Sequence, residues 1–298
     1  MKQKDWHGAA LSFAAVLVLV CFAVLSHARK PQKPVSDGVT WTRVGTVSGV
    51  TGNYTPVVLT ATGIAVFGNS NGVTDGVLYR RDGTWKAVGA ASAVLQIADP
   101  RDQWIRTSAV ARGASGVFYA VLYTGDGYPT LGGYSPSWAT SPDGYSWTWH
   151  GSLTIFGRNQ SSAAALIVDE ARTDAYRFMA WLDFGGGLYL MHSADGVAWS
   201  SDGANIWPIA GEQPQFCTAA KDSYGYHLIC AKDFPATALR HAWSCDGLKW
   251  SIIEMASPVI NTTAGKGTNL VFDPSTGLLH ALTSGTHWQM AQKGYPCP

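Results

Sequence analysis

A seven-residue phrase, Ser-x-Asp-Gly-x-x-Trp, recurs in this chain, and no other feature constrains the fold as strongly. Full copies occupy residues 141–147, 193–199 and 244–250, with aspartates at 143, 195 and 246. Degenerate copies precede them at Asp37-Gly38-Val39-Thr40-Trp41 and Asp82-Gly83-Thr84-Trp85. A period of about 50 residues marks a chain assembled from stacked copies of one supersecondary unit. Within each period the order is the same. A run of small residues comes first (107–111, 162–167, 216–220), then a short turn, then an aromatic run (117–122, 176–181, 226–230). A third strand leads into the phrase, and a fourth leaves from its tryptophan.

Four short strands per period, with small side chains on the one that crowds a central axis, predict an all-β, five-bladed β-propeller. Each blade is expected to hold four antiparallel strands, with first strands near residues 55, 107, 163, 216 and 269. The last period stops after three strands, at 268–272, 277–282 and 286–292. Residues 40–45 offer the missing fourth, so the N-terminal strand is expected to close the ring.

Composition agrees. The 298 residues include 33 glycines and 13 tryptophans, only 14% are charged, and the only glutamates are Glu170, Glu212 and Glu254. Long helices are disfavoured by so few strong helix formers. Lys2 and Lys4 precede an apolar run from about Ala9 to Leu25, followed by Ser26-His27-Ala28. Residues 1–28 therefore read as a signal peptide or a signal anchor, residues 29–36 as a linker, and residues 37–298 as the propeller. Either N-terminal reading exports the folded part, with membrane contact only through that segment. Beyond residue 28 acidic and basic residues balance, which argues against nucleic acid as a partner. The protein is expected to act as a monomer.

Export permits disulfides. Cys245 in a phrase turn and Cys297 near the C-terminus are expected to pair. Cys217 and Cys230 lie symmetrically about the turn at 222–225, and a bridge there is disfavoured because directly paired strand positions strain it. No metal-ligand spacing is present, and no metal or cofactor is expected.

The phrase resembles the Asp-box, or BNR repeat, of sialidase-like β-propellers. The resemblance implies a structural role: aspartate accepts turn N–H groups, glycine supplies positive φ, and tryptophan packs between blades. Asp143, Asp195 and Asp246 are accordingly not expected to be catalytic. No Arg-Ile-Pro segment or Tyr–Glu pair of sialidases is found. In blade number the chain is similar to five-bladed glycoside hydrolases such as arabinanases and xylosidases. The resemblance implies carboxyl chemistry in a cavity on the face opposite the phrase turns.

The residues expected on that face follow from strand order. Loops between second and third strands carry Asp126, Asp183 and Asp233, and the connection between two blades carries Glu212. Glycoside hydrolysis needs one carboxyl as acid and one as base or nucleophile, so these four are the catalytic candidates, Glu212 foremost. Asp102, Trp104, Arg106, Arg158, Asn159 and Gln213 lie just ahead of inner strands and suit the hydroxyls and faces of sugars. His192, His241 and His287 are expected to be packed strand residues. Two function classes result: an exported glycoside hydrolase acting on a polysaccharide or glycan, or a non-catalytic propeller that binds glycan or protein.

Overall fold

Five four-stranded antiparallel sheets repeat along the chain, and the first strand of each contacts the first strand of the next around a central axis. The computed structural model describes residues 35–50, 56–69, 77–96, 104–125, 135–153, 164–184, 187–231, 239–256, 268–283, 285–292, 294–295 and 297. The N-terminal segment forms β1 (Val35–Thr40) and β2 (Thr42–Thr46). Blade one is β3 (Val57–Thr60), β4 (Gly63–Asn69), β5 (Val77–Gly83) and β6 (Ser92–Gln96). Blade two is β7 (Trp104–Arg112), β8 (Phe118–Gly125), β9 (Ser135–Ser141) and β10 (Thr148–Ser152). Blade three is β11 (Ala164–Val168), β12 (Phe178–Phe184), β13 (Gly187–Ser193) and β14 (Ser200–Asn205). Blade four is β15 (Gln215–Lys221), β16 (Tyr226–Ala231), β17 (Leu239–Ser244) and β18 (Ser251–Ala256). Blade five starts with β19 (Thr268–Asp273), β20 (Leu278–Thr283) and β21 (Thr286–Ala291). No helix occurs among the described residues. The apolar segment within residues 1–28 lies outside them.

β2 completes blade five. It pairs antiparallel with β21, Thr42 opposite Gln289 and Thr46 opposite Thr286. The fourth strand of the last blade thus comes from the opposite end of the chain, as the strand count anticipates. β1 was not anticipated. It runs parallel to β18, Val35 opposite Ile253, and gives blade four a fifth strand. Residues 35 and 36 therefore belong to a strand, not a linker, and the partial phrase at Asp37 is extended. The outer edge of β18 presents unpaired main-chain groups, and a β-branched segment crossing to blade five satisfies them.

One apolar cluster fills each junction between blades. Trp41, completely buried between β1 and β2, joins blades four and five with Leu270, Leu279 and Trp288. Four further clusters join blades one and two, two and three, three and four, and five and one. The phrase tryptophans reach back to the preceding blade. Trp147 meets Phe67 edge-on at 5.8 Å, Trp199 meets Trp138 at 4.9 Å, and Trp250 meets Trp181 at 5.6 Å.

Both disulfides are present. Cys245–Cys297 ties the C-terminal segment to blade four, as expected. Cys217–Cys230 is also bonded, against expectation. The register between β15 and β16 shifts between Gln215 and Thr218, so Cys217 is not held in an ordinary ladder position. Phe216 sits in that bulge at φ 52°, a left-handed conformation costing roughly 1–2 kcal/mol for a residue with a Cβ. Burial of its ring in the Trp41 cluster offsets that cost.

Candidate functional site

Two faces of the ring carry different residues, and their chemistry separates cleanly. On the turn face, the three full phrases fold alike. Asp143 Oδ1 accepts from the N–H groups of Tyr145 (2.8 Å) and Ser146 (2.7 Å), while the Ser141 hydroxyl accepts from Gly144 N–H (2.8 Å). Trp147 Nε1–H donates to the Gly144 carbonyl (3.1 Å). The same bonds recur around Asp195 and Asp246. Gly144, Gly196 and Gly247 have φ of 75°, 77° and 78°, which a side chain would strain. The Ser146 N–H holds Asp143 below the usual carboxylate range, and the N–H groups of Val197 and Ala198 do the same to Asp195. These carboxylates are committed to turns.

The degenerate copy at Asp82 is built differently. Thr84 N–H donates to the Ala87 carbonyl, closing a tight turn, and Asp82 accepts from Arg80 (2.7 Å) and from the Tyr145 hydroxyl of the next blade. Its short loop lacks the residues that wrap N–H groups around the aspartate.

On the opposite face, Glu212 occupies the connection from β14 to β15. Gly211, at φ 82°, turns the chain there. The Glu212 side chain is 10% exposed and is gripped by Arg240 from the start of β17. Arg240 Nη2 donates to Oε1 at 2.5 Å, and Nε lies 3.2 and 3.3 Å from Oε1 and Oε2. A guanidinium fork on a carboxylate is both strong and directional. Sequence reasoning missed Arg240. Its signal was positional: it follows the loop after β16, the same loop that carries Asp233.

Asp183 lies near the end of β12, opposite Leu188 of β13, and is buried. Strand direction puts it on the same face as Glu212, in the adjoining blade. Gln213 is exposed beside Glu212. Trp104 and Arg106 lie on β7, at the end where that strand enters its blade. Asp102, Asp126, Arg158, Asn159 and Asp233 lie outside the described residues. The structure thus brings Glu212 together with Arg240, and places Asp183 on the same side of the ring.

A cavity of about 260 Å³ lies on the axis, toward the ends of the inner strands that feed the turn face. All five blades line it, with aliphatic walls such as Val57, Val110, Leu166 and Val271. Lys221 at its rim donates to Asp169 Oδ2 (2.7 Å), which also accepts from the Tyr226 hydroxyl (2.6 Å). Burial raises the Tyr226 pKa, and the Asp169 carboxylate raises it further. No cluster of three or more metal-ligating side chains occurs among the described residues.

His241 and His287 are packed strand residues, as expected, and each is hydrogen-bonded to a second histidine, His227 and His280 respectively. The His192 ring lies tilted against Tyr176 at 4.3 Å and contacts Asp202 at 3.3 Å.

No protein-family model matches the sequence, and no curated protein matches it. Solved structures do. One belongs to the GH130 family of mannoside phosphorylases, described as containing glycoside hydrolases that target β-1,2 mannosidic linkages in Candida mannan. It is 13% identical, covers 91% of this chain and 95% of its own, and has a TM-score of 0.60. A thermostable family-43 glycoside hydrolase is 11% identical over 88% of this chain and 91% of its own, with a TM-score of 0.56. The Hadza microbial sialidase Hz136 is 14% identical over 80% of this chain and 52% of its own, with a TM-score of 0.53. At such identities the likeness is one of fold: the chain is a five-bladed β-propeller similar in architecture to glycoside hydrolases.

Proposed function

We propose that the protein is an exported glycoside hydrolase that cleaves a polysaccharide or glycan with carboxyl groups on the loop face of the propeller. The Glu212–Arg240 pair carries the reading. In it a scarce, nearly enclosed glutamate at the mouth of an inner strand is held in the guanidinium fork of Arg240. The turn-face aspartates, by contrast, are consumed by backbone N–H groups. The three turns themselves are read as Asp-boxes.

The ion pair bears on the role of Glu212. A carboxylate that accepts from a guanidinium fork is placed to take a proton or to orient a water molecule. The proton for the leaving oxygen then comes from a second carboxyl group, for which Asp183, Asp126 and Asp233 are the candidates. Asp102, Trp104, Arg106, Arg158, Asn159 and Gln213 would bind sugar hydroxyls and ring faces. The partner is a glycan, with no nucleic acid, and the membrane is met only through the N-terminal segment. The chain works as a monomer outside the cytoplasm.

A second reading, glycan binding without catalysis, draws on the same pair: an arginine that neutralises Glu212 also suits a site that only recognises. The test is a screen of plant, bacterial and host polysaccharides for release of reducing ends, with binding measured in parallel. Glu212→Gln should lower turnover by roughly two orders of magnitude. Binding with no release by the wild type would favour the second reading. Full activity in Glu212→Gln would remove Glu212 from the chemistry.

A further inference from the structure

Two buried histidine pairs lie in adjoining blades, the first packed under Trp41 of the segment that closes the ring and the second carried by β20 and by β21, the strand that pairs with that segment. In blade four, His227 Nδ1 is 2.9 Å from His241 Nε2, and both rings are completely buried. The other nitrogen of His227 is 3.1 Å from Asp222 Oδ2. Blade five repeats the pattern. His280 Nδ1 is 2.9 Å from His287 Nε2, and Asp273 Oδ2 lies 4.0 Å from His280 Nε2. Both pairs are diagonal across second and third strands: His227 faces Trp243 while His241 faces Ile229, and His280 faces Gln289 while His287 faces Leu282.

The terminal segments rest on the rings of the first pair. Trp41 meets His241 edge-on at 6.0 Å. Tyr295, two residues before the bridged Cys297, packs on Trp243 at 5.5 Å and on His227 at 6.4 Å. On β2, Gly45 is the register partner of His287. From blade one, Trp85 stacks on both rings of the second pair at 4.5 and 4.6 Å.

A hydrogen bond between two imidazoles needs one bare nitrogen as acceptor. When both rings are neutral and His227 donates to Asp222, His227 Nδ1 accepts from His241 Nε2–H. One added proton can sit on His227 beside Asp222 and reverse that bond. A second proton sets two N–H groups against each other at the same contact. His241 Nδ1 has no hydrogen-bond acceptor to receive the extra proton, and Asp273 Oδ2, at 4.0 Å, lies beyond hydrogen-bond reach of His280 Nε2. Charging either pair twice therefore costs a hydrogen bond and buries unpaired charge.

We propose that the two pairs are a proton-operated latch on the ring closure, holding the segment from Val35 to Thr46 against blades four and five while neutral and releasing it reversibly when acid charges them. The titratable groups facing the rings, among the described residues, are Asp222, Asp273, Tyr295 and the four imidazoles. Burial first, and then the neighbouring imidazole, hold His241 well below the ordinary histidine value and His287 down to about 4. Burial also lowers His280, against the pull of Asp273. A histidine depressed in the closed form gains protons on opening. Closure is therefore complete above a pH of about 6.5 and is lost as the pH falls from there toward about 4. Uptake of two protons makes the opening constant rise roughly 100-fold per pH unit at its steepest.

The test is hydrogen exchange on the intact full-length protein from pH 7.5 to 4, corrected for the intrinsic pH dependence. Exchange of β2 should accelerate steeply below about pH 6.5 and recover at neutral pH, while β15 stays protected. Protection of β2 that persists at pH 4 would overturn the proposal, as would loss of β2 and β15 together. In the double variant His241→Gln with His287→Gln, β2 should stay protected across the range, and a β2 response like the wild type's would count against the latch. Should that variant not fold, ring titration by NMR decides the question on the wild type. The His241 and His287 rings must titrate at the midpoint of β2 release, and titration without release, or release without titration, refutes it.

Discussion

Arg80 Nη1 of blade one donates to the main-chain carbonyl of Asp143 in blade two at 2.5 Å, while its other nitrogens hold Asp82 of its own strand. The guanidinium lies 3.9 Å from the centre of the Tyr145 ring, in the same turn as Asp143. Arg172 repeats the device from blade three, donating to the Asp246 carbonyl in blade four at 3.1 Å and to Asp174 at 2.6 Å. The phrase turns at Asp143 and Asp246 are therefore anchored by arginines of the preceding blade as well as by their own bonds.

Replacing Arg80 with alanine should cost roughly 1–3 kcal/mol, because the acceptors it leaves lose a charged partner. Urea denaturation measures it. The Arg172→Ala change should cost less, since that side chain is 21% exposed against 7% for Arg80. Equal losses would argue against burial as the cause.

Asp195→Asn keeps the shape of the turn and removes its charge. Asp195 is held below the usual carboxylate range by Val197 and Ala198, so its contribution is present above the ordinary aspartate pKa, about 4, and is lost as the pH falls further. The variant should melt a few degrees lower than wild type at neutral pH and converge with it in acid. Turnover per folded molecule should not change.

Arg240 should matter to chemistry beyond stability. Arg240→Ala frees the Glu212 carboxylate from its fork and should lower turnover about ten-fold or more, with Arg240→Lys recovering part of it. Steady-state rates corrected for folded fraction, read across pH, make the comparison. Activity unchanged in Arg240→Ala would separate the pair from the reaction.

Cys297→Ser opens the bridge to Cys245 and should cost roughly 2–4 kcal/mol. Non-reducing peptide mapping of exported protein should recover two bridged peptides, Cys245–Cys297 and Cys217–Cys230. Finding Cys297 free would remove the C-terminal tie.

Deleting residues 36–46 takes away β2 and most of β1. The exposed edges of β21 and β18, with the cavity left by Trp41, should make the product aggregate. A soluble product with a cooperative transition would show that the ring does not depend on that segment.

The repeat spacing determined the blade count, the four-strand order and the closure by β2, because these depend on periodicity and on counting strands. It also fixed the structural role of Asp143, Asp195 and Asp246, since serine, aspartate and glycine at those intervals close a turn by local bonds alone. The tertiary structure decided what depends on residues far apart in sequence. Arg240 meets Glu212 from 28 residues away, His227 meets His241 only because a diagonal across two strands brings their rings together, and Cys217 reaches Cys230 through a bulge. The parallel seat of β1 on β18 is of the same kind: a strand's own residues give it an extended form, and only an open edge elsewhere in the ring selects its partner.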